Sequence, residues 1–292
     1  MSIKFSICIT YFYKRDNLFD LLKELKIDEN KDLEVLIRND NPELDLKINN
    51  HPRIKIFQNK HKPVGEIESI RFLLANSKGD YISIIADDDL IDNRIFEFIR
   101  NDGFKHKTYL SISTTSKFEF GNKKELPKLS PQKKILMFLS RKLHLSGTVG
   151  AVYQKDLLFN IFEKLKLKIY LIDVFLLFKI LDESCLILDN YYGFNNTKTS
   201  RISSQNINFD IFLKDYLEIV NNIENKLILE KFVLFILLDY YSILHREEKF
   251  KIRRFYKFLI INLKIKKLDN KLKIKLFFLG IFYLFKLILK AI

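Results

Sequence analysis

Along roughly the first hundred residues, short apolar runs of strand length alternate with segments whose apolar residues recur every three or four positions. That alternation predicts strand–helix–strand units and a mainly parallel sheet. Ile3–Thr10 (IKFSICIT), Leu33–Ile37 (LEVLI), Arg53–Gln58 (RIKIFQ) and Tyr81–Ile85 (YISII) read as strands. Asn17–Leu25 carries Leu18, Leu21, Leu22 and Leu25 at helical spacing. A second helix opens at Gly65, runs through Ala75 and stops at Ser77-Lys78-Gly79.

The pattern is less regular from Asn101 to Leu145, where strand and loop signals mix around Pro127 and Pro131. Ser146-Gly147-Thr148-Val149-Gly150 is a flexible turn, followed by the strand-like AVYQ and a helix. Ile169–Leu181 is nearly all apolar, broken by Asp173, and from about Gln205 onward the pattern is helical throughout. The expected organisation is an α/β domain over residues 1–204 and a helical region over 205–292, with no internal repeat.

Composition narrows the class. Of the 292 residues, 48% are hydrophobic and 29% charged, which describes a globular chain and not a disordered one. Cys8 and Cys185 sit far apart in apolar runs, as reduced, buried thiols would. The first apolar run, Phe5 to Phe12, lacks a cleavage site and reads as a strand, so the catalytic part is expected in the cytoplasm. The net charge of +14 is uneven: Arg246 to Ile292 holds 14 Lys/Arg and 3 acids, which leaves only +3 on the first 245 residues. A basic tail on a near-neutral body points to an anionic partner surface, membrane or nucleic acid.

Ligands of open α/β sheets bind beyond the carboxyl ends of the strands. Three polar features fall there: Thr10-Tyr11 after the first strand, Asp40 after the second, and Asp87-Asp88-Asp89 after the fourth. Three adjacent carboxylates repel one another unless a cation or hydrogen bonds compensate. A hard divalent ion, Mg2+ or Mn2+, would do so and complete its shell with diphosphate oxygens and water. The competing reading is a solvated acidic turn, or an N-cap for a helix beginning near Ile91.

The order of these features resembles glycosyltransferase family 2, inverting enzymes of GT-A fold. FSICITYFYKRDNLFDLL resembles the family's opening strand and helix, LEVLIRNDNP its second strand and Asp-containing turn, and NSKGDYISIIADDDLID the stretch around its metal-binding aspartates. The resemblance covers residues 1 to about 100 well, and 145 to about 200 loosely. It implies a nucleotide-binding half over residues 1–100 and an acceptor half over 101–204. Tyr11 would stack on the base with Thr10 beside it. Asp40 would accept the N3–H of uracil or thymine, which ranks UDP- and dTDP-sugars above GDP-sugars. Arg71 would reach the base or phosphates. Asp88 and Asp89 would be the main metal and ribose ligands, supported by Asp87. Ala86 stands where many members carry an earlier Asp, so the choice of direct ligand stays open.

An inverting transferase needs one general base for the acceptor hydroxyl. Asp173 is the candidate, a lone carboxylate among Tyr170-Leu171-Ile172 and Val174-Phe175-Leu176, where an unpaired charge would be costly. The resemblance places a base in an acidic pair near this point, and Ile172 replaces the first acid; a helix cap is the alternative for Asp173. The Gly147–Gly150 turn is expected to shape the acceptor pocket. Where the family often has a metal-assisting His, Tyr192-Gly193-Phe194-Asn195-Asn196 offers none.

In the tail, Phe250 to Leu268 places Ile252, Phe255, Leu259 and Leu263 on one helical face. Leu276–Phe285 is an unbroken apolar run between Lys275 and Lys286, short for a span and suited to an interfacial helix. A packed terminal helix of the domain or of a homodimer is the alternative. The resulting expectation is a hexosyl-transferring enzyme using Mn2+ or Mg2+. It would be peripheral on the inner face of the plasma membrane and would act on a lipid-linked glycan acceptor in bacterial capsule, O-antigen or lipooligosaccharide synthesis. Two other classes compete: a sugar nucleotidyltransferase, disfavoured because residues 10–16 lack Gly, and a non-catalytic basic adaptor, which leaves the triplet unexplained. Nucleic acid is not expected, because the tail's apolar density favours lipid.

Overall fold

The computed structural model describes residues 2–12, 17–48, 51–87, 89–113, 130–139, 148, 150–165, 172–180, 185–195, 209–246 and 252–291. It divides into two compact units, residues 1–138 with 142–200 and residues 139–141 with 201–292.

In the first unit, β1 (Phe5–Tyr11), β2 (Leu33–Asn39), β3 (Ile54–Gln58) and β4 (Tyr81–Ala86) form a parallel block in the order β3-β2-β1-β4. The sheet continues through β7 (Ala151–Gln154), β6 (Thr108–Ser113), β8 (Cys185–Asn195) and β5 (Asp89–Ile91), eight strands among the described residues. Here the pairing is mixed: β7 is antiparallel to β4 and β6, β6 is parallel to β8, and β5 is antiparallel to β8. The fold is therefore the mixed α/β, GT-A (Rossmann-like) arrangement expected from the sequence, its parallel half lying over the first hundred residues.

β1, β2 and β4 read as apolar runs because helices cover both faces. Phe5, Ile7, Ile9 and Tyr11 point into one core with Leu18 and Leu21 of α1 (Asn17–Glu24), with Leu25 just after it, and with Ile95, Phe96 and Ile99 of α3 (Arg94–Asp102). The alternate residues Cys8, Leu36 and Ile84 are buried on the other side, where α2 (Glu66–Asn76) packs against β1 and β2 and meets α5 (Lys155–Lys164). Gly79 has a steric reason to be glycine: a Cβ there would lie 2.6 Å from the Ser6 backbone nitrogen. Among the described residues, α4 (Pro131–Leu139), all but its last residue in this unit, and α6 (Ile172–Ile180) are the unit's other helices.

The helix expected near Ile91 begins later. Asp89–Ile91 is instead a strand, with Asp89 opposite Asn195, Leu90 opposite Phe194 and Ile91 opposite Gly193. Its ladder partner lies about a hundred residues away, so no local pattern could show it. The helical turn then closes at Asp92, whose carboxylate accepts the Arg94 backbone N–H at 2.9 Å. The same carboxylate accepts Arg94 Nε at 2.8 Å. Although burial opposes ionisation, the hydrogen bonds and charge of Arg94 hold it below the usual carboxylate range.

The second unit is helical: α7 (Phe209–Asn222), α8 (Lys226–Arg246), α9 (Ile252–Lys264) and α10 (Asn270–Ala291). Phe212, Tyr216, Phe232 and Phe258 form its aromatic centre. The Tyr216 hydroxyl donates to Asn262, whose side chain donates on to the Phe258 carbonyl at 2.8 Å. This explains how a polar Asn262 can be buried on α9, on the same side as the apolar face expected there. Asp269 caps α10 by accepting the Leu272 N–H at 2.7 Å, and it pairs with Lys226 at 3.0 Å. Among the described residues no helix is long and apolar enough to cross a membrane.

Candidate functional site

The ends of β1, β2 and β4 are tied together by backbone and carboxylate groups. The Asp40 N–H donates to the Tyr11 carbonyl at 2.9 Å, which extends the ladder one residue beyond β2. The Phe12 N–H donates to Asp87 Oδ2 at 3.3 Å, and Asn41 Nδ2 donates to the Phe12 carbonyl at 3.0 Å. Thr10, Arg38 and Ala86 occupy one row of the register, so Tyr11, Asp40 and Asp87 start from neighbouring strand ends. The three polar features of the sequence are thus brought to one edge of the sheet.

Asp40 has an engagement that the sequence does not disclose. Its Oδ1 accepts Asn59 Nδ2 at 2.8 Å, Oδ2 accepts the Gly65 N–H at 2.8 Å, and the Val64 N–H reaches both oxygens at 3.1 Å. A carboxylate beneath the first turn of α2 is favoured by the helix dipole and by the N–H groups left open there. Gly65, the cap residue of α2, has φ 92°, a left-handed conformation that glycine adopts without strain. Asn59 pins the intervening turn by accepting the His61 N–H at 3.0 Å. Asn59 and Gly65 are therefore site-building residues that pattern reading missed; their turn-forming chemistry was the available signal.

Two of the triplet's carboxylates are described, and both are buried: Asp87 at 0% exposure and Asp89 at 7%. Asp87 sits in the turn after β4 and Asp89 opens β5, while Asp88 lies outside the described residues. Among the described residues no group of three His, Cys, Asp or Glu could hold a metal ion. The donor chemistry, carboxylate oxygens without nitrogen or sulfur, fits a hard divalent cation that draws its remaining ligands from diphosphate and water. Register also sets Asn195 opposite Asp89, which brings the stretch where the sequence lacks a His directly beside the triplet.

Other expected site residues lie elsewhere. Arg71 does not turn to the strand ends. Its Nε and Nη2 donate to the Phe162 carbonyl at 3.1 and 3.0 Å, Nη2 donates to the Leu165 carbonyl, and Nη1 pairs with Glu68. In this arrangement it caps the carboxyl end of α5, where the helix dipole makes the last carbonyls attractive to a cation. The Tyr11 side chain, expected to stack on a base, is 4% exposed and packed in the core with Phe5 and Ile9. Thr10 is half-buried, one residue before the end of β1. Asp173 is the second residue of α6, and its side chain lies outside the described residues, as do Gly147 and Val149 of the Gly147–Gly150 turn. Cys8 and Cys185 are both buried free thiols, and burial pushes the Cys185 thiol up to about 12.

No family model matches the sequence, and no curated protein matches it. Solved structures do resemble it. Staphylococcus aureus TarS 1-349 in complex with UDP-GlcNAc superposes with a TM-score of 0.61 at 13% identity, over 92% of this chain and 83% of that one. The TarS 1-349 complex with UDP gives 0.56 at 15% identity, over 94% and 86%. The longer TarS structure gives 0.56 at 13%, where this chain spans half of that one. At these identities the likeness establishes the fold alone.

Proposed function

We propose that this chain is a metal-dependent inverting glycosyltransferase of the family 2 kind, moving a hexose from a UDP- or dTDP-sugar to a lipid-linked glycan acceptor. One observation carries the reading: Tyr11, Asp40 and Asp87 converge on one carboxyl edge of the sheet, tied by the Phe12 N–H to Asp87 and the Asp40 N–H to Tyr11. The fold's likeness to a structure containing UDP-GlcNAc supports the donor class and favours uridine.

In this reading the nucleotide lies across the ends of β1 and β2, against Thr10 and the backbone of Tyr11. Asp40 organises the turn that receives the base; an imide N–H would take the lone-pair position that Val64 now shares between both oxygens. Asp88 and Asp89 would hold Mn2+ or Mg2+, with Asp87 in support. When bound, that ion neutralises charge on the departing nucleoside diphosphate. Asp173 takes the proton of the acceptor hydroxyl while its oxygen bonds to the anomeric carbon. The bond from that carbon to the diphosphate breaks, and configuration inverts. The acceptor belongs to surface-glycan assembly on the inner face of the plasma membrane, which the basic helices of the second unit approach.

The test is release of UDP from UDP-sugars, with and without Mn2+, beside donor binding by calorimetry. Asp89→Ala is expected to abolish metal-dependent release, and full activity in that variant rejects the metal role. Asp173→Asn should bind donor as the parent does while transfer falls by at least about a hundredfold. Unchanged turnover removes Asp173 as base.

A further inference from the structure

α10 has apolar residues on two sides, and internal packing uses one of them. Leu272 and Leu276 are buried, and Gly280 lies so close to α9 that a Cβ there would stand 2.5 Å from Leu259 Cδ2. The other side carries Ile274 at 58% exposure, Phe277 at 44%, Phe278 at 65% and Ile281 at 44%. Their spacing of three and four residues lines them along a single stripe. Lys271 and Lys275 are exposed on the same side. α10 has no acidic residue, and Asp269 just before it is engaged by Lys226.

We propose that this outward stripe of α10 is a docking surface for an anionic lipid bilayer. The helix lies along the headgroup boundary, with Phe278 and its neighbours among the acyl chains and the ammonium groups of Lys271 and Lys275 at lipid phosphates. Charge selects this occupant over a second copy of the chain. Two such stripes brought face to face would set lysines against lysines, with no carboxylate on either helix to pair them. A bilayer supplies both the apolar interior and the negative surface. The inference deepens the membrane reading above and rests on it only for the location of the acceptor.

The test is co-sedimentation of the full chain with vesicles of phosphatidylglycerol and phosphatidylcholine in equal parts, against vesicles of phosphatidylcholine alone. The chain should bind the mixed vesicles, release with rising salt, and bind neutral vesicles far less. Phe278→Ser with Ile281→Ser should lower the partition coefficient at least about tenfold. Lys271→Gln with Lys275→Gln should lower it roughly 25-fold, about fivefold for each lysine. All four residues are exposed, so the variants should keep the parent circular dichroism spectrum and melting temperature. Partitioning unchanged by both double variants overturns the proposal. So does a parent dimer, seen by analytical ultracentrifugation, that Phe278→Ser dissociates. Metal-dependent UDP release measured without vesicles separates the two readings: its absence rejects the transferase and leaves vesicle binding standing.

Discussion

Replacing Asp40 by alanine removes the acceptor for three donors at once. The Val64 N–H belongs to an exposed residue and can turn to water, so the heavier losses are the Asn59 amide and the Gly65 N–H, both at 2.8 Å. Hydrogen bonds to a charged group contribute about 1.5–3 kcal/mol each. Loss of a negative charge beneath the α2 N-terminus adds about 0.5 kcal/mol. Allowing for partial rescue by water, Asp40→Ala should destabilise the first unit by about 3–4 kcal/mol. Asp40→Asn keeps one acceptor oxygen but presents an NH2 group to a donor, for a loss of about 2 kcal/mol. At about 2–4 °C per kcal/mol, the alanine variant should melt roughly 6–16 °C below the parent, with asparagine in between. Thermal melts followed by far-UV circular dichroism measure this, beside calorimetric titration with UDP. Because the same turn receives the base, UDP affinity should fall in the same order. An alanine variant melting within about 2 °C of the parent would refute the anchoring argument.

Arg71→Ala frees the carboxyl-end carbonyls of α5, so stability should drop by about 1–2 kcal/mol in urea unfolding while UDP affinity stays at the parent value; loss of UDP binding without loss of stability would reverse the reassignment. The buried thiols should resist an aqueous disulfide reagent until the chain unfolds, and rapid modification of the native protein would contradict their burial. Because burial raises both thiol pKa values in the folded state, their contribution to stability is full below the ordinary thiol pKa and declines as pH rises toward 12, measurable as a falling urea midpoint.

Much of the parallel half of the fold is legible in the chain because burial on both faces forces continuous apolar runs. Ile7 to Ile9, Val35 to Ile37 and Ile82 to Ile85 could hardly be anything but central strands. The carboxyl edge was legible for the same reason, since the polar residues that interrupt those runs must lie where the strands stop. β5 was not, because Asp89–Ile91 becomes a strand only through pairing with Gly193–Asn195. The tail's basic charge and apolar density were visible too, but not which side of α10 faces outward, because that depends on the fit of Gly280 against Leu259.

Sequence by itself determined which residues gather at the sheet's edge: strand periodicity and the ends of apolar runs are local properties. Tertiary structure decided which partners the expected site residues take. Arg71 serves the end of α5 and Asp40 serves the start of α2. A side chain's partners are chosen by groups that arrive from distant parts of the chain, and helix ends with open N–H and C=O groups compete for every nearby charge.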